Sequence, residues 1–281
     1  MDTWFIVLIS VLSAFLVLFG LFLFLVATRR SKREEIKRFY GVRYAHRGLH
    51  DKEKPENSLA AFSAAVASGY GIELDVRLSA DGTLVVFHDD TLDRMTSESG
   101  RVDAKSLEEL KKIKLADSED CIPSFDEVLR LVDGRVPLLV EIKEDAGSLA
   151  VTRKTAEVLK KYKGDFIIES FNPLSIGEIK RLMPDTIRGV LSQNYIEQEK
   201  YRKPLYFLLQ CLVLNVVARP DFIAFDHKGY KNAALRITRS VFGAATFAWT
   251  TRSAEEDSLA LSHGFDSVIF ENYTPKINIE E

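Results

Sequence analysis

Residues 41–281 predict a (β/α)8 barrel, and three features of the chain carry the prediction. Short apolar runs alternate with amphipathic stretches in about seven or eight units, the pattern of a parallel sheet covered by helices. Two of those runs alternate apolar with charged residues, which suits strands whose second face is turned into a barrel. Neither GxGxxG nor GxxxxGK[ST] occurs, so the rival open, doubly wound sheet lacks its phosphate loop.

Composition narrows the class further. The chain has 281 residues, 46% hydrophobic and 28% charged, with a net charge of −3. No dominant basic field exists, which argues against a nucleic-acid partner. Cys121 and Cys211 stand far apart and outside any metal-binding spacing. They are expected to be buried thiols in a reducing compartment.

The first element is of a different kind. Trp4 to Ala27 reads WFIVLISVLSAFLVLFGLFLFLVA, without a charge. As a helix it reaches roughly 36 Å, enough to cross a ~30 Å hydrocarbon core. A signal peptide is the alternative, but no basic residue precedes the run and the run exceeds an h-region. Residues 4–27 are therefore expected to form a retained transmembrane helix. Asp2 is the one side-chain charge before it, while Arg29, Arg30, Lys32 and Arg33 follow. That bias predicts a single-pass protein of the cell membrane with its main domain in the cytoplasm. Residues 28–40 read as a basic juxtamembrane linker facing anionic headgroups, at roughly 1 kcal/mol per basic residue. The linker could prolong the helix.

The barrel domain follows at 41–281. Candidate strands are Val42–His46, Gly71–Leu78, Leu84–His88, Pro137–Lys143, Phe166–Ser170, Thr186–Leu191, Asp221–Asp226, Ala244–Thr250 and Ser267–Phe270. Candidate helices are Leu59–Ala67, Ser106–Lys112, Phe125–Val132, Leu149–Tyr162, Pro173–Leu182, Lys231–Arg239 and Ala254–His263. Asn57 or Ser58 would cap the first of these. Thr91–Pro123 is long, polar and weakly periodic, an excursion between a strand and its helix.

In Gly71–Leu78, Ile72, Leu74, Val76 and Leu78 share one face, and Glu73, Asp75 and Arg77 share the other. Inside a helix-covered barrel the charged face points inward. Two carboxylates there repel by roughly 4 kcal/mol at ~4 Å and an effective dielectric of ~20. A hard divalent ion bound by oxygens relieves that repulsion. Pro137–Lys143 repeats the pattern, with Glu141 and Lys143 opposite Leu138, Val140 and Ile142. Glu141 becomes a third candidate ligand, and Lys143 a point charge suited to phosphate. An internal Lys–Glu or Arg–Glu pair that only holds the barrel is the plainer alternative.

His46 and His88 each close an apolar run, where barrel enzymes keep their chemistry, and a histidine pair can divide acid and base duties. Arg47 stands beside His46 for an anion, Gly48 permits a tight turn, and Glu56 lies close enough to support them. His50 and His263 read as structural, and His227 lacks a comparable partner pattern. The set describes metal-assisted attack on a phosphate ester.

These residues sit in AHRG (45–48), PENS (55–58), IELDVRLSADG (72–82), VVFHDD (85–90), VEIK (140–143), ESFN (169–172) and AWTTR (248–252). In that order they resemble the glycerophosphodiester phosphodiesterase family across most of residues 42–272. The resemblance implies a TIM barrel with a small insertion after the second barrel strand. It implies His46 and His88 as the acid/base pair, and Glu73, Asp75 and Glu141 as ligands of Ca²⁺ or Mg²⁺. It implies Arg47 and Lys143 on the phosphate and Trp249 beside the glycerol pocket. The implied reaction hydrolyses glycerophosphodiesters to an alcohol and glycerol 3-phosphate, by attack of the neighbouring glycerol hydroxyl and opening of a cyclic phosphate. A lyase that stops at the cyclic phosphate, or a non-catalytic membrane scaffold, would share the fold. The chain departs from the family's usual pattern at Phe270-Glu271-Asn272, where many relatives carry Thr-Asp.

The apolar insert at 195–219 contains YFLLQCLVLNVVA (206–218), too short to span a bilayer. It follows a strand and so should emerge at the mouth, with Lys200, Arg202, Lys203 and Arg219 as basic flanks. A buried core helix is one expectation; a helix lying in the headgroup region is the other. The second makes a lipid-derived glycerophosphodiester or lysophospholipid the expected substrate, against a small soluble diester.

Overall fold

The computed structural model describes residues 3–144 and 147–276. It opens with α1 (Thr3–Val26), whose side chains are exposed as far as Leu21. The helix stops there rather than running on. A short α2 (Arg33–Ile36) and a 3-10 turn at Lys37–Phe39 lead to β1 (Arg43–Ala45). Then come α3 (Leu59–Ala67), β2 (Gly71–Leu78), β3 (Leu84–Val86), α4 (Leu107–Leu110), α5 (Phe125–Val132) and β4 (Leu138–Ile142). The second half holds α6 (Ala150–Leu159), β5 (Phe166–Ser170), α7 (Pro173–Leu182), β6 (Arg188–Ser192), α8 (Pro204–Gln210), α9 (Asn215–Ala218) and β7 (Phe222–Asp226). It ends with α10 (Ala233–Phe242), β8 (Ala245–Thr251), α11 (Ala254–Ser262) and β9 (Ser267–Phe270).

All strands but β3 pair in parallel, and β9 closes on β1 through Tyr44↔Ile269 and Ala45↔Phe270. The result is an eight-stranded parallel barrel wrapped by helices. Alternation sorts the side chains as expected. Ile72, Leu74, Val140 and Ile168 meet Phe62, Val128, Leu159 and Ile176 in the layer between strands and helices. Tyr44, Leu139, Ile167, Leu191, Phe222 and Phe247 fill the interior, and Ile36 and Phe39 enter it from the base. Helix starts follow capping chemistry: Ser58 accepts from the Ala61 amide, and Ser124 and Glu127 form a reciprocal box.

Three expectations need correction. The run Leu84–His88 is no barrel strand. Ser79–Thr83 is a tight turn, with Gly82 at φ +76° and Ser79 Oγ accepting from the Thr83 amide at 3.1 Å. So short a link only allows an antiparallel return, and β3 pairs back onto β2 through Val76↔Val86. The apolar run at 206–218 is two helices, since Leu212 at φ +56° breaks it. Cys121 and Cys211 are free but half-buried rather than enclosed.

The linker is tied to the barrel base. The Arg29 guanidinium grips Asp221 at 2.6 and 2.5 Å and also reaches the Thr186 carbonyl. The excursion between β3 and α5 has its own small core of Val85, Phe87, Leu92, Val102, Leu110, Ile113, Leu115 and Ile122.

Candidate active site

Strand register brings the carboxylates together. Asp75 of β2 lies beside Glu141 of β4, which lies beside Glu169 of β5. Glu73, one inward step below Asp75, completes the crowd. Ligand oxygens of Glu73, Asp75 and Glu141 all lie within 4.8 Å of one another, and all three residues are buried. Lys143 Nζ stands 2.6 Å from Glu141 Oε1 and 3.1 Å from Asp75 Oδ1.

The turn after β1 supplies the next shell. Arg47 and Gly48 both take positive φ, +54° and +85°, and a Cβ at Gly48 would meet Ala61 at 2.9 Å. That turn lets the Arg47 amide donate to Glu73 at 2.9 Å, while its guanidinium lies 2.7 Å from Glu56 and 3.4 Å from Asp75. Asn57, expected only as a cap, instead donates Nδ2 to Asp75 at 2.9 Å.

The two imidazoles reach the same mouth by different routes. His46 leaves β1 with Nε2 3.9 Å from Glu73 and Nδ1 2.7 Å from Glu271. His88 arrives on the antiparallel return, where the Phe87 amide bonds the Asp75 carbonyl at 3.0 Å. Its Nδ1 lies 2.5 Å from Asp89, whose other oxygen is held by Arg94. Arg77 bonds the His88 carbonyl at 2.9 Å and pairs with Asp90 at 2.6 Å, fixing that return. Trp249 lies half-buried at the rim, edge-on to Phe171 at 5.6 Å, and Lys143 sits 5.9 Å from the Phe171 ring.

Burial governs the titrations. It pushes Glu73 well above the usual carboxylate range, with Asp75 and Glu141 adding to the rise. It lifts Glu141 to about 7, against the pull of Lys143. Burial would lift Asp75 too, but Lys143 and Arg47 hold it below its ordinary value. Burial lowers His46, although Glu271 opposes this, and takes His88 down to about 4. These shifts favour the neutral form of both rings in the free site, and the carboxylate beside each Nδ1 is placed to accept a proton from it.

Besides Asp89 and the Asn57 contact, Glu169 and Glu271 escaped sequence reasoning. Glu169 is buried, with Oε2 unpartnered and its pKa raised by burial and then by Glu73 and Glu141. Its inward place beside Ile167 was the available signal. Glu271 carried none beyond its departure from the family pattern. His227 is buried near the Trp249 carbonyl at 3.4 Å, with Asp226 and Glu256 each 3.7 Å from its ring, and His263 stacks on Tyr230 at 3.5 Å.

A cleft of about 640 Å³ runs outward from Glu141 and Lys143. Its far wall is Tyr195, Tyr201, Leu205, Tyr206 and Leu209 of the insert, with the three tyrosine rings packed at 4.7–5.4 Å.

Comparison with known proteins agrees with this geometry. Residues 46–274 match the glycerophosphoryl diester phosphodiesterase family. A glycerophosphodiester phosphodiesterase of Caldanaerobacter subterraneus is 32% identical over 256 residues, covering 84% of this chain and 96% of the relative. A phosphodiesterase of Oleispira antarctica, solved with sn-glycerol-3-phosphate as product, superposes with a TM-score of 0.68 at 26% identity, over 83% of this chain and 94% of that one. The glycerophosphodiester phosphodiesterase of Thermotoga maritima does so with a TM-score of 0.63 at 28% identity, over 82% and 94%. This chain belongs to the glycerophosphoryl diester phosphodiesterase family and is an enzyme that hydrolyses glycerophosphodiesters.

Proposed function

We propose that the enzyme is a membrane-anchored, metal-dependent hydrolase of lipid-derived glycerophosphodiesters, working on the cytoplasmic face. The observation that carries the lipid reading is the cleft, which joins Glu141 and Lys143 to an aromatic and aliphatic wall. A hydrophilic headgroup alone has no use for that wall; an acyl chain buries apolar surface there.

The donor set fits a hard divalent cation. Glu73, Asp75 and Glu141 offer oxygens alone, and Asp75 Oδ1 and Glu141 Oε1 lack a well-directed hydrogen bond. Bound there, Ca²⁺ or Mg²⁺ would offset the crowded negative charge and act as a Lewis acid toward a phosphoryl oxygen. Arg47 and Lys143 then hold the phosphate oxygens, and Trp249 lies along the glycerol. His46 and His88 act as the acid/base pair. One Nε2 takes the proton of the attacking hydroxyl, and the leaving alcohol takes its proton from the imidazolium form of the other ring, which the bound anionic phosphate favours. Glu271 and Asp89 keep each Nδ1 protonated, so that Nε2 faces the reaction.

Release of acylglycerol 3-phosphate from a micellar lysophospholipid, and of glycerol 3-phosphate from soluble glycerophosphocholine, tests this reading. Full-length enzyme is expected to turn over both, to lose activity in EDTA and to regain it with Ca²⁺ or Mg²⁺. Activity indifferent to chelation removes the metal, and turnover of the soluble diester alone removes the lipid.

A further inference from the structure

The joint between α1 and the barrel shows which way the helix points. Arg219, just ahead of β7 at the barrel base, donates to the Phe24 and Ala27 carbonyls at 3.0 and 3.2 Å. Asn215 Nδ2 donates to the Val26 carbonyl at 3.1 Å, and the Arg29 amide bonds the Pro220 carbonyl at 2.8 Å. The last carbonyls of a helix point along its axis toward the C-terminus. Val26 meets Asn215 at the start of α9 and Arg29 meets Pro220 past its end, so the end of α1 runs the same way as α9, toward the base, and its exposed length leads back on the side of the mouth.

The exposed helix α8 lies on that side, since it follows β6. Phe207 and Leu208 are 51 and 42% exposed on its outer face, and Leu205, 56% exposed, stands at the edge where it also lines the cleft. Lys200, Arg202 and Lys203 precede them, all exposed, beside the acidic Glu197 and Glu199. Tyr206 and Leu209, on the inner face, line the cleft to Glu141 and Lys143. A contiguous apolar face with cations at its edge suits an anionic lipid surface.

We propose that α8 is seated in the same bilayer that α1 crosses, with the barrel mouth turned to the lipid and the cleft opening beneath α8. The seat rests on α1 being a retained span, and its consequence for turnover rests on the lipid substrate proposed above. Full-length Trp4→Phe/Phe207→Trp protein, reconstituted in phosphatidylcholine–phosphatidylglycerol vesicles, reads the seat directly. With dibrominated acyl chains, the emission at position 207 is expected to fall on the order of half, as for a side chain below the headgroups. No quenching beyond that of the Trp4→Phe parent overturns the seat. In the same vesicles, full-length Phe207→Glu/Leu208→Glu is expected to lose on the order of tenfold in lysophospholipid turnover while soluble diester turnover holds within about twofold. Unchanged lysophospholipid turnover also overturns it. Quenching at 207 in a chain inert on lysophospholipid would keep the seat and remove the lipid substrate.

Discussion

Glu271 and His46 are 225 residues apart in sequence and 2.7 Å apart in space. The hydrogen bond from His46 takes the Glu271 carboxyl down to about 2, so it stays ionised through the working range. Glu271→Gln removes that charge and keeps the shape. With it goes an interaction that favours the imidazolium, so the His46 pKa falls further. The expected result is a kcat reduced on the order of tenfold, with the His46 limb of the pH–rate profile moved to lower pH. His46→Ala and His88→Ala should each lose on the order of 10²–10⁴. An unmoved limb in Glu271→Gln would mean that the carboxylate does not govern His46. Glu141, lifted to about 7 by burial, gives a second test. Its folded pKa exceeds the unfolded one, so the metal-free fold binds more protons than the unfolded chain between about pH 5 and 7. Metal-free stability should therefore fall as pH rises through that window, and divalent binding at neutral pH should release protons. Titration calorimetry in buffers of different ionisation enthalpy reads the release. At this scale the sequence was readable where one strand carried several charges, as at Glu73 and Asp75. It was opaque at Glu271, whose meaning depends on barrel closure.

At the scale of elements, period-two alternation located β2 and β4 and assigned their faces, because a parallel barrel buries both sides of each strand. Direction was harder to read. Leu84–His88 has the composition of a barrel strand, and only the brevity of Ser79–Thr83 reveals an antiparallel return. That return makes His88 depend on the excursion behind it. Phe87 packs among Val102, Leu110 and Leu115, while Arg94 bonds both Asp89 and Glu56. Leu110 is fully buried in this small core. Leu110→Ala should cost about 2–5 kcal/mol by transfer and cavity terms. Because the excursion carries His88, kcat should fall by more than the stability loss alone explains at temperatures where the barrel remains folded. Kinetics and thermal melts of the same preparation check this. If activity simply follows the folded fraction, the excursion is not positioning the imidazole. The insert shows a different limit: hydropathy could not place the break at Leu212, because both halves are apolar and only packing separates the covered α9 from the open α8.

For the whole molecule, what matters is where the catalytic unit begins. The charge pattern of residues 28–40 suggests a tether, yet Ile36 and Phe39 are buried in the barrel interior and Arg29 neutralises Asp221, itself buried, at the base. Each apolar side chain is worth about 1.5–3 kcal/mol when fully buried. Removing the Arg29 guanidinium adds a further cost, since Asp221 keeps the Arg188 amide but loses its ion pair with Arg29 in a buried setting. A chain starting at Gly41 should therefore lose at least about 3–6 kcal/mol, roughly 6–12 °C in Tm for a domain of this size. A chain starting at Thr28 keeps the plug and the ion pair, so its Tm should stay within a few degrees of the full-length value while vesicle association drops. Differential scanning calorimetry of the two truncations, with a vesicle flotation assay of the longer one, separates the roles. Equal melting of both truncations would reduce residues 28–40 to a tether. The expected split makes the segment a structural base that also fixes α1 to the barrel.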